Sequence, residues 1–276
     1  MTLPAIGVAG CGSMGLPMAR QLQGAGFEVF GYDVRPAEEF GSFAGKMQES
    51  AAALAARCPI IISVVRDWYQ TEELCLGENG LFSRSTIPEI LIISSTLSPK
   101  QINRLREMIP EETILIDAPM SGAPYGAETG TLTFMVGGDA EAVQKLMPAF
   151  RVMGNEINHL GALGAGMTCK VLNNMLAATS VIAVREVVKA AKALDFPPDK
   201  LLEVASSSSG ATWFGDNMEK ISWAKEGYSI INTIGILEKD VNSLLDATGD
   251  FPELRINELG RAVIGELRNL TPVTDD

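Results

Sequence analysis

A glycine-rich turn between two patterned segments constrains the fold of this chain more than any other feature. An apolar run from Leu3 to Ala9 predicts a strand, and the helical spacing of Met18, Ala19, Leu22 and Ala25 predicts a helix. Between them lie Gly10, Cys11, Gly12, Ser13, Met14 and Gly15. In such a G-x-G-x-x-G turn the glycines permit a tight turn, close approach of a pyrophosphate and packing of helix on strand. We therefore expect a bound dinucleotide whose pyrophosphate meets the helix N-terminus; the alternative is a turn without a ligand.

An acidic residue completes this strand-turn-helix unit. Asp33 ends a second predicted strand, Phe27 to Tyr32, and lies roughly 20 residues beyond the glycine turn. A carboxylate there can accept hydrogen bonds from both hydroxyls of an adenosine ribose, and it would repel a 2′-phosphate. Val34 offers no positive charge, whereas Arg35 could accept a 2′-phosphate if it folds back. The sequence thus predicts NAD as cofactor in preference to NADP.

Composition and charge exclude several classes of partner. The 276 residues suit two domains, and a net charge of −12 argues against nucleic acid or an anionic membrane as partner. The four cysteines show no C-x-x-C spacing, which favours reduced thiols in a cytoplasmic protein. The single histidine, His159, cannot by itself form a metal site, and we expect none. We also expect a soluble chain with neither a signal peptide nor a membrane span.

Strands and helices are predicted to alternate from residue 1 to about 163, which indicates a mostly parallel sheet. The predicted strands are Leu3–Ala9, Phe27–Tyr32, Pro59–Val65, Glu89–Ser94, Thr113–Asp117, Thr131–Val136 and Glu156–His159. The predicted helices between them are Met14–Ala25, Glu49–Arg57, Trp68–Cys75, Pro99–Met108 and Asp139–Met153. The segment Ala118 to Gly130 is rich in Pro and Gly and is assigned neither. Because only helical patterns follow Leu163, we expect a Rossmann-type α/β domain over residues 1–163 and an all-helical substrate and oligomerisation domain over residues 164–276, which begins with a long interdomain helix.

Lys170 is the only formal charge between Leu160 and Val184, within a predicted helix from Ala165 to Leu194. A helix that is apolar on all sides is usually buried. Asn173 and Asn174 follow at positions that share a helix face with the lysine. Desolvation favours the neutral amine, which could exchange a proton with a substrate hydroxyl. The alternative is a lysine at a helix edge that reaches solvent, and the isolation of the charge favours the catalytic interpretation.

Three further segments are candidates on weaker grounds. Asp117 to Ala123 leaves the end of a parallel strand and offers a hydroxyl and backbone N–H groups to a carboxylate, although it could be a bare loop. Ser94 to Thr96 could reach a nicotinamide or could cap the helix that starts near Pro99. Lys239-Asp240 could lie at the cofactor or could be a solvated pair on a helix.

Together these motifs resemble the β-hydroxyacid dehydrogenase family, which includes the 3-hydroxyisobutyrate dehydrogenases. The resemblance covers nearly the whole chain: Gly7 to Ala19 is similar to the cofactor signature of the family, and Asp117 to Gly122 to its substrate loop. Gly164-Ala165-Gly166, Lys170 and Asn173-Asn174 resemble its catalytic helix, and Lys239-Asp240 a late motif on the cofactor side.

The resemblance implies a role for each matching residue. It makes Lys170 the general acid/base and Asn174 a ligand of the reacting end of the substrate. It places the substrate carboxylate on Ser121 and Gly122, and a cofactor contact at Thr96 and at Lys239.

Three positions depart from the family pattern. Val65-Arg66 stands where members often carry Leu-Pro beside the cofactor, and Ala123 replaces a glycine, which narrows the substrate loop. Asn232 replaces an aromatic residue, and its amide would favour a hydroxylated substrate. Segments such as Gln70-Thr71-Glu72 look most like the branch that acts on four-carbon sugar acids such as L-threonate.

We therefore expect NAD-dependent oxidation of a small 3-hydroxy carboxylic acid, or reduction of the matching aldehyde or keto acid. The alternatives are an NADP-dependent semialdehyde reductase and a dinucleotide-binding sensor or scaffold without turnover. Long, weakly charged helical segments also predict a homodimer or homotetramer.

Overall fold

A single eight-stranded sheet organises the first part of the chain in this computed structural model, which describes residues 3–273. The strands are β1 (Ile6–Ala9), β2 (Val29–Tyr32), β3 (Ile60–Ser63), β4 (Ile90–Ile93), β5 (Ile114–Asp117), β6 (Met120–Ser121), β7 (Leu132–Gly137) and β8 (Gly154–Gly161). Five of them are parallel in the order β2-β1-β3-β4-β5, followed by β7 antiparallel to β5. Because the order of the strands reverses at β1, its carboxyl end is the switch point at which such sheets bind ligands.

Helices cover both faces of this sheet. They are α1 (Gly15–Gly24), α2 (Ala51–Arg57), α3 (Trp68–Leu76), α4 (Pro99–Met108), α5 (Ala123–Thr129) and α6 (Ala140–Met153), with a 3-10 helix at Ala37–Lys46. Successive residues of a strand enter different cores: Ile60 and Ile62 pack in one hydrophobic cluster, and Ile61 packs in the other. The strands therefore consist of unbroken apolar runs, as expected for a sheet buried on both faces.

Five more helices follow up to residue 273, and the chain divides into two compact units after Lys170, within the first of these helices. They are α7 (Ala165–Ala193), α8 (Pro198–Ser206), α9 (Trp213–Asn217), α10 (Thr233–Thr248) and α11 (Ile256–Arg268). Within the described residues, α7 alone is long and apolar enough to span a membrane. In the second unit, however, its residues Val171, Met175 and Ala178 are buried in a core with Val241 and Leu267. These contacts are those of a core helix.

The fold class predicted from the sequence is confirmed: a mostly parallel Rossmann-type sheet precedes a helical region. The predicted bounds of α4 match, whereas the predicted strand Leu3–Ala9 begins only at Ile6. The Pro- and Gly-rich segment from Ala118 to Gly130 was assigned no element, and this was wrong, since it contains β6 and α5. Helix α5 is too short to show periodicity, and its own start and stop residues, Pro124 and the left-handed Gly130, are also typical of turns.

Candidate active site

The carboxyl ends of the five parallel strands lie along one edge of the sheet in the first unit. This edge carries the predicted residues that follow each strand, namely Gly10 after β1, Asp33 after β2, Val65 and Arg66 after β3, Thr96 after β4 and Ser121 after β5. Parallel strands place such residues side by side although they are far apart in sequence. The structure thus brings the predicted cofactor residues and the predicted substrate loop of this unit to one edge.

The glycine turn has the geometry that a dinucleotide requires. Gly10 has φ of +89°, and a Cβ atom there would lie 2.7 Å from the carbonyl oxygen of Val64. At Gly15, the first residue of α1, a Cβ atom would collide with the carbonyl oxygen of Gly10. At Gly12, by contrast, nothing lies within 4 Å of the added atom. Close packing therefore requires glycine at positions 10 and 15. Gly12 leaves open space at the N-terminus of α1, where a pyrophosphate could approach.

Arg35 does fold back, which the sequence left open. Its Nε lies 3.0 Å from Oδ1 of Asp33, and its Nη2 donates to the carbonyl oxygen of Cys11 at 2.9 Å. The guanidinium carbon is also 4.8 Å from the centre of the Phe40 ring. The hydrogen bond to Asp33 raises the pKa of Arg35. The predicted contact of Asp33 with ribose hydroxyls stays a prediction, since both of its carboxylate oxygens lie within 3.3 Å of the Arg35 guanidinium. This guanidinium is a cation that a 2′-phosphate could meet, and the adjoining Val34 is exposed.

The segments after β3 and β4 are tied to the glycine turn and to α7, respectively. The N–H of Val64 donates to the carbonyl oxygen of Ala9 at 2.7 Å, which holds Val65 and Arg66 beside the turn. After β4, the N–H of Leu97 lies 3.5 Å from the sulfur of Met167 in the first turns of α7. Its neighbour Thr96 is half-buried.

Lys170 meets the predicted substrate loop. The side chain of this lysine is only 6% exposed, and its Nζ donates to the carbonyl oxygen of Met120 at 2.7 Å. Met120 and Ser121 form β6, which pairs with β7, and Gly122 follows with φ of +134°. Ala123 has φ of +56°, a left-handed conformation that favours the glycine usual in the family. The buried amine of Lys170 is therefore hydrogen-bonded to the residue that directly precedes Ser121 and Gly122, whose hydroxyl and N–H groups are predicted to bind a carboxylate.

In the second unit, one buried carboxylate joins two of the predicted site residues. Nδ2 of Asn174 donates to Oδ2 of Asp240 at 2.5 Å, and Nζ of Lys239 lies 2.6 Å from Oδ1 of Asp240. Asp240 is 2% exposed. In the sequence, Asp240 stands out only as the neighbour of Lys239. Asp240 lies three residues after Leu237, which places it on the apolar face of α10. This spacing could have indicated from the sequence that Asp240 is buried.

Asn232 is an N-cap. Its Oδ1 accepts hydrogen bonds from the N–H groups of Ile234 and Gly235 at 3.1 and 3.2 Å at the start of α10. Its Nδ2 donates to Oε2 of Glu226 and to the carbonyl oxygen of Gly227, both at 2.9 Å. These contacts use the donors and acceptors of the amide locally. The predicted contact with substrate is therefore still a prediction, to be tested against the capping role.

Among residues 3–273, no group of three or more His, Cys, Asp or Glu side chains is arranged to hold a metal ion. The polar atoms at the sheet edge are instead backbone N–H groups, a hydroxyl, a carboxylate and an amine. These groups suit an anionic, hydroxyl-bearing ligand.

The fold and this edge of the sheet define a Rossmann-type dinucleotide-binding oxidoreductase, and comparison with known proteins agrees. Residues 5–161 match the family described as the NAD binding domain of 6-phosphogluconate dehydrogenase. Residues 164–254 match a second family, described as NAD-binding of NADP-dependent 3-hydroxyisobutyrate dehydrogenase.

Individual relatives are similar over most of their length. The chain is 31% identical to L-threonate dehydrogenase of Cupriavidus necator, over 87% of this chain and 82% of that one. It is 35% identical to NAD-dependent L-serine dehydrogenase of Pseudomonas aeruginosa, over 75% and 71% of the two chains. The structure of Mycobacterium tuberculosis 3-hydroxyisobutyrate dehydrogenase with L-serine has a TM-score of 0.80 at 28% identity, and the match covers 97% of this chain and 94% of that one. The chain belongs to the β-hydroxyacid dehydrogenase family and is an NAD-dependent hydroxyacid dehydrogenase.

Proposed function

We propose that this protein oxidises a small hydroxylated 3-hydroxy acid, with Lys170 as the general acid/base. The observation that carries the proposal is the buried amine of Lys170, 2.7 Å from the carbonyl oxygen of Met120 and adjacent in the loop to Ser121. A lysine in such surroundings is rare and requires a reason. A positioned acid/base typically contributes about 10²- to 10⁴-fold to the rate.

In this mechanism the substrate carboxylate binds the hydroxyl of Ser121 and the backbone N–H groups at Gly122 and Ala123. Anchoring the carboxylate there presents the 3-hydroxyl to Lys170, whose neutral amine accepts the hydroxyl proton. When bound, the nicotinamide of NAD would supply the hydride acceptor for the carbon that bears this hydroxyl. Reduction of the aldehyde or keto acid uses the same residues in reverse, with the ammonium of Lys170 as proton donor.

The remaining site residues divide between the two proposed domains. In residues 1–163 the cofactor would contact the turn from Gly10 to Gly15, the segment Asp33 to Arg35, Val65 and Arg66, and Thr96. In residues 164–276, Asn174 would bind the reacting end of the substrate and Lys239 the cofactor.

Substrate polarity is inferred from relatives and from the loop. Two relatives are named for L-threonate and L-serine, acids that carry a further polar group beside the reacting hydroxyl. Ala123, with φ of +56°, adds a methyl group where glycine is usual and so narrows the loop. We propose that L-threonate or another hydroxylated acid of three or four carbons is preferred to 3-hydroxyisobutyrate.

We also propose a cytoplasmic homodimer or homotetramer. In the second unit, Leu176 on α7 is 73% exposed, and Leu172 and Val187 on the same helix are about half exposed. Large apolar side chains grouped on one helix commonly pack against another copy of the chain. Light scattering at micromolar concentration tests this expectation, and a monomer would contradict it.

The experiment for the proposed function measures nicotinamide absorbance with NAD and a panel of hydroxy acids. We expect a higher kcat/KM for L-threonate or L-serine than for 3-hydroxyisobutyrate. The opposite ranking would overturn the proposed substrate class. NAD binding without turnover on any acid would favour a sensor, and preferential reduction of a semialdehyde with NADPH would favour the reductase.

A further inference from the structure

Asp117 is a buried carboxylate to which the mechanism above gives no role. It is the last residue of β5 and is fully buried. Its Oδ1 accepts the N–H of Gly164, and its Oδ2 accepts the N–H of Met167, both at 2.7 Å. Met167 lies in the first turn of α7 and Gly164 directly precedes this helix. At a helix start the N–H groups have no partners within the helix and favour a negative charge. Asp117 thus anchors the start of the helix that carries Lys170.

A second hydrogen bond joins the segment after β5 to α7, three residues further along each segment. Met120 follows Asp117 by three residues, and Lys170 follows Met167 by three residues. The hydrogen bond from Nζ of Lys170 to the carbonyl oxygen of Met120 therefore closes a ring with the hydrogen bond from Met167 to Asp117. A shift of α7 along its axis would break both contacts together.

The surroundings fit this carboxylate closely. A Cβ atom on Gly137 would collide with Oδ1 of Asp117, and one on Gly166 would collide with the carbonyl oxygen of Met135 and lie 2.9 Å from Oδ2 of Asp117. Burial raises the pKa of Asp117, and hydrogen bonds from the N–H groups of Gly164 and Met167 partly offset this. Burying a carboxyl group is costly, and here each of its oxygens accepts a hydrogen bond from a backbone N–H group.

We propose that Asp117 is a positioning residue that sets the register of α7 against the substrate loop and so holds the amine of Lys170 at Ser121. This inference rests on the proposed role of Lys170. In this proposal Asp117, which is fully buried, acts through its hydrogen bonds to Gly164 and Met167 and not by contact with substrate or cofactor. An error of about 1 Å in the position of a catalytic group can cost roughly 10²-fold in rate, whereas cofactor binding at the glycine turn does not depend on this contact.

The first unit offers a matched control for a purely structural role. Asp139 caps α6 as Asp117 anchors α7, and its Oδ1 accepts the N–H of Ala142 at 2.9 Å. Asp139→Asn and Asp117→Asn each weaken a carboxylate contact at a helix start in the same unit. Only Asp117 is linked to the loop that contains Ser121.

The experiment compares both variants with the wild type and with Lys170→Met, using kcat, KM and the Kd of NAD. We expect Asp117→Asn to lower kcat by about tenfold to a hundredfold with the Kd of NAD unchanged, and Asp139→Asn to keep kcat. If Asp117→Asn does not fold, Asp117→Glu keeps the charge but displaces α7, and it should show the same loss of kcat.

Full kcat in whichever Asp117 variant folds, or an equal loss of kcat in Asp139→Asn, would overturn the inference. If Lys170→Met itself remains active, the proposed function fails instead. If Lys170→Met is inactive while Asp117→Asn retains full kcat, only the positioning role fails.

Discussion

The two units hold their proposed site residues in different ways. In the first unit, strand ends and close backbone packing place the residues, as at Gly10 against Val64 and at Met120 against Lys170. In the second unit, Asn174 and Lys239 are held by the side chain of Asp240. In the first unit, the order of the strands already places the residues side by side. In the second unit, their positions depend on one buried side chain, so replacing that side chain should disturb the proposed site residues of the second unit most.

The largest effect among these comparisons is expected for Asp240→Asn. The substitution removes the carboxylate that orients Asn174 and pairs with Lys239 at 2.6 Å. We expect kcat/KM to fall by about tenfold or more, equivalent to roughly 1.4 kcal/mol. Steady-state kinetics with saturating NAD, and a separate NAD titration, check the roles proposed for Asn174 and Lys239.

Glu238→Gln is the matched control on the same helix. Glu238 is also buried, but Oε1 pairs with Arg268 at 2.6 Å and Oε2 accepts the hydroxyl of Tyr228 at 2.5 Å. Although burial raises the pKa of Glu238, these partners lower it overall, so its contribution to stability is lost as acid protonates it. Glu238→Gln should therefore reduce stability near neutral pH and leave kcat unchanged. Equal kinetic losses in both variants would refute a specific role for Asp240.

An effect of similar size is expected in cofactor choice at the first unit. Asp33 favours a free ribose hydroxyl, so we expect NAD to bind at least about tenfold more tightly than NADP, a difference of roughly 1.4 kcal/mol. Arg35→Ala should weaken NADP more than NAD, because it removes the only cation seen beside Asp33 among the described residues. Calorimetric titration measures both affinities, and equal affinities in the wild type would contradict the assignment.

Asn232 allows the capping role and the substrate role to be separated. Loss of the cap in Asn232→Ala should cost about 1 kcal/mol of unfolding free energy, and Asn232→Ser should cost less. Asn232→Phe should also narrow the preference for L-threonate over 3-hydroxyisobutyrate, if the predicted contact exists. Urea unfolding and the ratio of kcat/KM values check the two roles. A lower stability with an unchanged ratio would leave only the cap.

The smallest effect is expected at Ala123. Its φ of +56° is strained for a residue with a Cβ atom, and glycine adopts this conformation freely. We expect Ala123→Gly to stabilise the protein by up to about 1 kcal/mol, measured as a higher urea midpoint with unchanged slope. A lower midpoint would show that the methyl group contributes packing that outweighs the strain.

Sequence patterns predicted most of the strands and cofactor residues of the first unit, because these features are set by residues close together in the sequence. Apolar runs, the glycine turn and Asp33 each depend on neighbouring residues, and Lys170 was identified by its isolation among apolar residues. The anchoring role proposed for Asp117 was not predictable, since its partners Gly164 and Met167 are 47 and 50 residues away in the sequence. Asn232 was related to substrate by resemblance to the family, and its hydrogen bonds to the start of α10 were visible only in the structure.

The most direct test of the central claim is the turnover of Lys170→Met with NAD and the best hydroxy acid of the wild type. Because the amine exchanges the hydroxyl proton, we predict a loss of about 10²- to 10⁴-fold in kcat, with NAD affinity and thermal stability close to those of the wild type. A variant that retains more than about a tenth of the wild-type kcat would show that Lys170 is structural and would contradict the proposed mechanism.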